Sequence, residues 1–453
     1  MKKIFDKMTQ GSVKLVEKFL PDPYIFAILL TFFVVIISLI VTKTTPLNII
    51  EAWYGGFWSL LTFSMQMAMI LVTGTILATA PLFKKGLGKL ASIPKNKIQA
   101  IIWVSVIGLV ASFINWGFGL VIGAIFAKEV AKRVKGVDYP LLVAAAYSGF
   151  LIWHAGLSGS IPLTLATGGA TLVTQTGGAV VDAISTSQTI FSVTNLVIVG
   201  VIILTLPILL ALMHPKGDKV KTVDPLLLED EPAPVMKDRK DMTPAEKLEN
   251  SRVINYILAA MGFTFIVMYF IEKGFDLNLN IVIFIFLFAA IALHGTPIKT
   301  VHAVNSAAKS VGGILLQFPF YAGIMGIMTA KGPNDISLAG AISDLFVNIS
   351  NGTTFPLFTF LSAGIVNIFV PSGGGQWAVQ GPIMMPAGLA LGVEPAKTAM
   401  AIAWGDAWTN MIQPFWAFPV LGIAKLGAKN IMGYCLMVLL YSGVIIGLGL
   451  LLI

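Results

Sequence analysis

Two short segments carry the residue types best able to do chemistry. The first, Val370-Pro371-Ser372-Gly373-Gly374-Gly375-Gln376-Trp377, sets three glycines behind Pro-Ser in an apolar run. Within a continuous helix each glycine costs about 1 kcal/mol relative to alanine and proline about 3 kcal/mol, so the chain is expected to unwind here. An unwound turn exposes backbone N–H groups, and a helix beginning just after it adds its positive end, which makes an anion site that needs no lysine. Ser372 would add a hydroxyl and Asn367 an amide. The competing reading is a glycine-rich contact between closely packed helices.

The second segment, Trp404-Gly405-Asp406-Ala407-Trp408-Thr409-Asn410-Met411-Ile412-Gln413-Pro414, places an acid in an otherwise apolar run. A carboxylate at membrane depth is expensive and by default marks an ion or substrate path. Asp406 is expected to bind Na+ with Thr409, Asn410, Gln413 and carbonyls freed by Pro414, or else to carry a coupling proton. Oxygen-only ligands suit Na+ or H+ and not a transition metal, so no other metal and no cofactor is expected. The plainer alternative is an acid paired inside a helix contact.

The first half of the chain offers Asn115, Gly117, His154 and Ser158-Gly159-Ser160 at related positions. His154 reads either as a group that gains and loses a proton near neutral pH or as a satisfied polar side chain. Gln66 and Gln317 sit mid-run in the two halves and read as lining a site, although glutamines also serve to join helices. No Walker sequence, Gly-x-Ser-x-Gly elbow, His-Glu-x-x-His or cysteine cluster occurs, so the pattern is that of a non-enzyme without recognisable nucleotide hydrolysis.

Residues of this kind need a scaffold inside a bilayer, and the composition supplies it. The 453 residues are 56% hydrophobic and 11% charged, where soluble domains carry roughly 25% charged residues. Runs such as 25–41, 191–212, 253–271 and 431–453 approach the roughly 20 apolar residues that cross 30 Å of hydrocarbon. They are apolar on every side, which argues for helices and against a barrel with a polar lumen. The single cysteine, Cys435, excludes an internal disulfide framework. The net charge of +8 comes from lysines beside the runs, which mark topology and not nucleic-acid binding.

Four basic clusters, 2–18, 84–97, 128–135 and 216–252, should share the cytoplasmic face. The apolar stretch 99–127 then begins and ends on one side, so a re-entrant hairpin turning at Asn115-Trp116-Gly117-Phe118-Gly119 is expected. The resulting division is a basic amphipathic segment (1–20), a first repeat (21–213), a cytoplasmic linker (214–250), a linking helix (251–273) and a second repeat (274–453). Gln66 and Gln317, Asn115 and Asn367, Asp138 and Glu394, and Pro162 and Pro419 recur in the same order in both halves. With one linking helix between them the halves are inverted, an architecture frequent in secondary transporters. The expected fold is an all-α polytopic membrane protein of about 9–12 segments, with inverted structural repeats and re-entrant hairpins or broken helices.

The chain also resembles the AtoE-type short-chain fatty acid transporters over nearly its whole length. The resemblance is carried by Leu20-Pro21-Asp22-Pro23, Phe57-Trp58 with Gln66, Ile114 to Val121, Asp138 to Leu142, Gln317-Phe318-Pro319-Phe320-Tyr321-Ala322-Gly323, Val370 to Gly375 and Gln413-Pro414-Phe415-Trp416-Ala417. It implies uptake of short-chain fatty acids across a bacterial inner membrane. The combined expectation is a secondary transporter of a small monocarboxylate, driven by H+ or Na+. Its substrate would meet Asn115, Gly117, Ser158, Gln317, Asn367, Ser372, Gly373, Gly374, Gly375 and Trp377, with the apolar tail near Trp377 or Trp404. A passive anion channel and a non-transporting membrane scaffold are the rival readings, and a homo-oligomer is compatible with the sequence.

Overall fold

Where the apolar runs are punctuated by proline, asparagine or glycine, the backbone forms helices that stop at those residues. The structure, a computed structural model, describes residues 2–19, 21–223, 228, 238, 240–274, 279–309 and 311–452, so the middle of the expected linker, 224–227, 229–237 and 239, lies outside the described residues. Apart from one isolated bridge between Lys331 and Ser337, every regular element among the described residues is helical.

The amphipathic N-terminal segment is a helix, α1 (Lys2–Phe19). The first apolar run is α2 (Pro23–Thr42), started by Asp22, whose side chain accepts from the Tyr24 amide, with proline at the first turn. A helix that the apolar pattern did not suggest, α3 (Pro46–Phe57), is capped by Thr45. It is followed by α4 (Leu61–Thr79) and α5 (Pro81–Ala91), which bend by 71° about Ala80.

The stretch read as a re-entrant hairpin is α6 (Lys97–Ile114) and α7 (Trp116–Ala131), interrupted at Asn115. A Cβ at Gly119 would run into the backbone of Ser112, so the two arms lie directly against each other. The helices extend past the apolar stretch into its basic flanks, which gives the first arm 18 residues and makes it long enough to cross alone.

Next come α8 (Tyr139–Ser148) and a 3-10 segment (Gly149–Ala155). The short helices α9 (Ser160–Thr167) and α10 (Gly169–Gln175) occupy the Gly/Ser/Thr-rich stretch, and α11 (Val193–Leu212) ends the first half.

After α12 (Pro244–Glu249) and the linking helix α13 (Arg252–Lys273), the second half begins with α14 (Leu279–His294), α15 (Pro297–Ala308) and α16 (Gly312–Thr329). It continues through α17 (Leu338–Asn348), α18 (Phe355–Phe369) and α19 (Gly373–Ala390). The last elements are α20 (Pro395–Thr409), α21 (Pro414–Ala424) and α22 (Ala428–Leu452). Seven helical stretches among the described residues are long and apolar enough to cross a membrane, and the bent α4–α5 pair makes eight. The remaining apolar helices, α14, α17, α18 and α21, are too short to cross alone.

The basic clusters meet in pairs at two cavities. Lys95, Lys97, Arg133 and Lys135 line one cavity, and Lys14, Lys216, Lys219 and Lys221 line another. Lys97 also bears on His214: burial, reinforced by that lysine and opposed by the bond to the Pro215 carbonyl, holds the imidazole below its ordinary range.

The most extensive helix pairing is that of α18 with α20 in the second half. A Cβ at Gly405 of α20 would collide with the Phe360 carbonyl of α18, and one at Gly364 would meet the Trp408 ring at 2.9 Å. Small residues let membrane helices approach backbone to backbone, and this crossing sets Asn367 and Asp406 side by side. Gly405→Leu is expected to cost about 1–3 kcal/mol by overpacking, read as a lower thermal midpoint in detergent. Gly55→Ala, where nothing lies within 4 Å of a new Cβ, should be neutral or slightly stabilising.

Candidate functional site

The broken helices meet around one buried hydrogen bond between the halves. His154, from the 3-10 segment after α8, places Nδ1 2.7 Å from Oδ2 of Asp406 in α20, and both side chains are fully buried. The Ile161 amide at the start of α9 donates to His154 Nε2 at 3.1 Å. A backbone N–H can only donate, so Nε2 must offer its lone pair and the ring proton sits on Nδ1, directed at the carboxylate. Trp153 stacks on the imidazole at 4.1 Å between ring centres. Asp406 is therefore the paired acid that the sequence admitted, with one oxygen held by His154 and the other, Oδ1, buried without a hydrogen-bond partner.

The residues grouped with Asp406 as ion ligands converge through other atoms. Asn367 at the end of α18 places Nδ2 2.8 Å from the Asp406 carbonyl, 2.9 Å from Thr409 Oγ1 and 2.7 Å from Asn410 Oδ1. Three oxygens thus face one amide that owns two protons. Asn367 Oδ1 and Asn410 Nδ2 are meanwhile buried and unpartnered. Gln413 stands apart from this group: Nε2 donates to the Ile368 carbonyl at 2.8 Å, and Oε1 accepts from the Phe415 amide as the cap of α21. Tyr147 of α8 reaches across to donate to the Asn410 carbonyl at 2.6 Å.

The glycine motif is built differently from the unwound turn the sequence suggested. The break falls on Val370, Pro371 and Ser372, and Gly373–Gly375 form the first turn of α19. Ser372 Oγ accepts from the Gly375 amide and its carbonyl accepts from Gln376, which leaves the Gly373 and Gly374 N–H groups as the uncapped donors of that terminus. Gly373 is needed for a close approach: a Cβ there would lie 2.8 Å from His154 Cε1 and 2.9 Å from Trp153. The α19 terminus therefore rests on the rings of His154 and Trp153.

In the first half, Asn115 Oδ1 caps α7 by accepting from Phe118, and Ser158 Oγ accepts from the Trp116 amide at 3.0 Å. The N-terminus of α7, with Gly117 buried in its first turn, is largely closed by the chain's own side chains, while that of α19 is not. Gln317 is buried with Oε1 unpartnered, and Trp377 is buried with an unpartnered indole N–H. Gln66, read as the partner of Gln317, bonds Asn280 at 2.7 Å beside a surface recess lined by Leu61 and Met65. Trp404 spends its N–H on Asn195 of α11, so it ties helices together.

One polar group escaped the sequence reading. Gln376 and Gln380, one turn apart on α19, form a buried ladder with the Ala363 carbonyl, Ser343 and Ser362. Their spacing of four on an otherwise apolar helix was the available signal.

An all-helical, multi-pass membrane protein whose interrupted helices bring unpaired buried oxygens and open N–H groups together is built like a solute transporter. The family described as short chain fatty acid transporter matches residues 4–453, and the chain belongs to that family. It is 46% identical over 444 residues to a putative short-chain fatty acid transporter of Escherichia coli, covering 98% of this chain and 99% of that one. A putative short-chain fatty acid transporter of Haemophilus influenzae is 45% identical over 452 residues, covering 99% of both. Among solved structures, the Alcanivorax borkumensis YdaH transporter aligns over 95% of this chain and 97% of that one at 16% identity, with a TM-score of 0.45. The protein is thus a membrane-embedded member of a family of secondary transporters for small organic solutes and not an enzyme.

The hydrogen-bond pattern fixes the histidine tautomer. Nitrogen-15 spectra of histidine-labelled protein at neutral pH, with His154→Asn as the assignment control, should show Nδ1 protonated and Nε2 unprotonated. A signal with both nitrogens protonated would contradict this arrangement.

Proposed function

We propose that the protein carries a short-chain monocarboxylate together with Na+ across a bacterial inner membrane by alternating access of two inverted repeats, 21–213 and 274–453. The observation that carries the proposal is the crowding of the Asp406 carbonyl, Thr409 Oγ1 and Asn410 Oδ1 around Asn367 at 2.7–2.9 Å. Amide nitrogen and oxygen are interchangeable assignments, so turning the Asn367 amide would point four oxygens at one spot, a set of donors that a hard monovalent cation satisfies and a hydrogen bond does not.

The carboxylate would sit at the α19 terminus, on the Gly373 and Gly374 N–H groups and the Ser372 hydroxyl, where the helix dipole favours negative charge. Met325, whose terminal methyl lies near Gly375, and the buried Trp377 would face its short apolar chain. The cation and the anion then occupy neighbouring helix breaks and offset each other's charge, which lowers the cost of moving either through low dielectric. The matching breaks at Asn115 and at 370–372, and the matching 3-10 segments after α8 and α20, support reading the halves as repeats.

A second reading has its own observation. Asp406 Oδ1 is buried without a partner, so a proton placed there would serve as the coupling ion in place of Na+.

Uptake into sealed vesicles separates these readings. With Na+ as the driving ion, carboxylate accumulates above equilibrium under an inward Na+ gradient alone. Thr409→Val should then raise the half-saturating Na+ concentration roughly tenfold, the cost of about 1.4 kcal/mol for one lost oxygen ligand. Accumulation driven only by a pH gradient, abolished by Asp406→Asn and indifferent to Thr409→Val, would favour the proton. Equilibration without accumulation under either gradient would make the protein a channel.

A further inference from the structure

The lysine-rich face holds a second feature that solute transport does not use. Between the start of α6 and the end of α7 lies a cavity of about 790 Å³, lined by Ser92, Lys95, Lys97, Arg133 and Lys135 among others. Four cations meet there, and no aspartate or glutamate lines it. Glu129 beside it is already committed to Lys132 at 2.6 Å and to Arg133 at 2.7 Å. Among the described residues no ion pair involves Lys95, Lys97 or Lys135.

Topology alone would put lysines on this face, but it would not put them around one concavity. It also would not favour their placement along α6. Lys97 is the first residue of that helix and Lys95 lies just before its cap, Asn96; a cation at a helix N-terminus is repelled by the dipole. The loop is nonetheless held in shape, with Asn96 Oδ1 accepting from the Gln99 amide at 3.0 Å and Gln99 Oε1 accepting from the Lys95 amide at 2.8 Å. Arg133 is fixed in turn, since Nη1 bonds both the carbonyl and the carboxylate of Glu129 at 2.7 Å. Mutual repulsion between the three lysines without an ion pair and repulsion from the helix end are both relieved by one kind of occupant, an anion with several acceptor oxygens.

We propose that this cavity binds the phosphate of an anionic lipid headgroup, fixing the α6–α7 hairpin against the membrane surface. Lipid is the source favoured by position, because the cavity opens at the ends of two membrane helices, where juxtamembrane lysine and arginine clusters recognise acidic headgroups. A free phosphate would present the same oxygens without the acyl chains.

The test uses the full-length protein in nanodiscs of phosphatidylcholine containing a minor fraction of phosphatidylglycerol or cardiolipin. Lipid retained after transfer to detergent is counted by native mass spectrometry. Wild type should retain the anionic lipid, and the variant K95Q/K97Q/K135Q should lose roughly tenfold or more of it. A control, K240Q/K247Q/K429Q, removes the same charge outside the cavity and should retain lipid as wild type does. Unchanged helical circular dichroism shows that a variant is folded, and single substitutions at Lys95 and Lys135 give a graded loss if the triple variant is not. Equal retention by the cavity variant and wild type, or equal loss in the control, would overturn the proposal. So would thermal stabilisation by inorganic phosphate that matches the lipid effect and prevents lipid retention, since the site would then belong to a soluble anion.

Discussion

A carboxylate inside a bilayer has to be answered, and the way Asp406 is answered organises this protein. One oxygen accepts the Nδ1 proton of His154 across the boundary between the two halves. Removing either partner would leave a buried polar group unsatisfied, which costs more than the bond contributes. The bond holds the 3-10 segment after α8 against α20, and the α19 terminus is seated on the same imidazole. Three interrupted elements from distant parts of the sequence are thereby fixed around one point.

Interruption is what makes backbone available. A continuous helix uses all its N–H and carbonyl groups internally, which is why lipid tolerates it. Here the breaks at Asn115, at 370–372 and at 410–412 release such groups, buried at Asn115, Gly373 and Asn410 and exposed at Gly374. Asn115 and Ser158 close most of what the first break opens, while the second leaves Gly373 and Gly374 uncommitted. The two breaks therefore differ in chemistry, and the asymmetry leaves α19 as the terminus with uncapped N–H donors.

Much of this could be read from residue types. Proline, asparagine and glycine located the breaks, the lysines predicted that α6 and α7 return to one face, and the polar cluster from Asp406 to Asn410 was recognised as a unit. What the residues could not show was which atoms meet. Asp406 joins the oxygen cluster through its carbonyl, while Oδ2 of its carboxylate is bonded by a histidine 252 positions away. A sequence pattern cannot distinguish main-chain from side-chain participation. Gln66 misled for a related reason: the two glutamines match in order along the chain, yet which side of a membrane helix faces the interior depends on neighbours such as Asn280 that lie far off in sequence. The helix α3 was missed because its contacts with α16 run through Gly56 and Gly326, and close backbone packing leaves little apolar periodicity to detect.

A cation and an anion held at the proposed neighbouring sites would be energetically linked, and linkage is reciprocal at equilibrium. A direct measurement is titration of purified protein with a short monocarboxylate at several fixed Na+ concentrations, followed by tryptophan fluorescence, since Trp153 packs against Gly373. Carboxylate affinity should rise with Na+, and Na+ affinity should rise with carboxylate by the same factor. Carboxylate binding that is independent of Na+, at constant pH and ionic strength, would contradict the account.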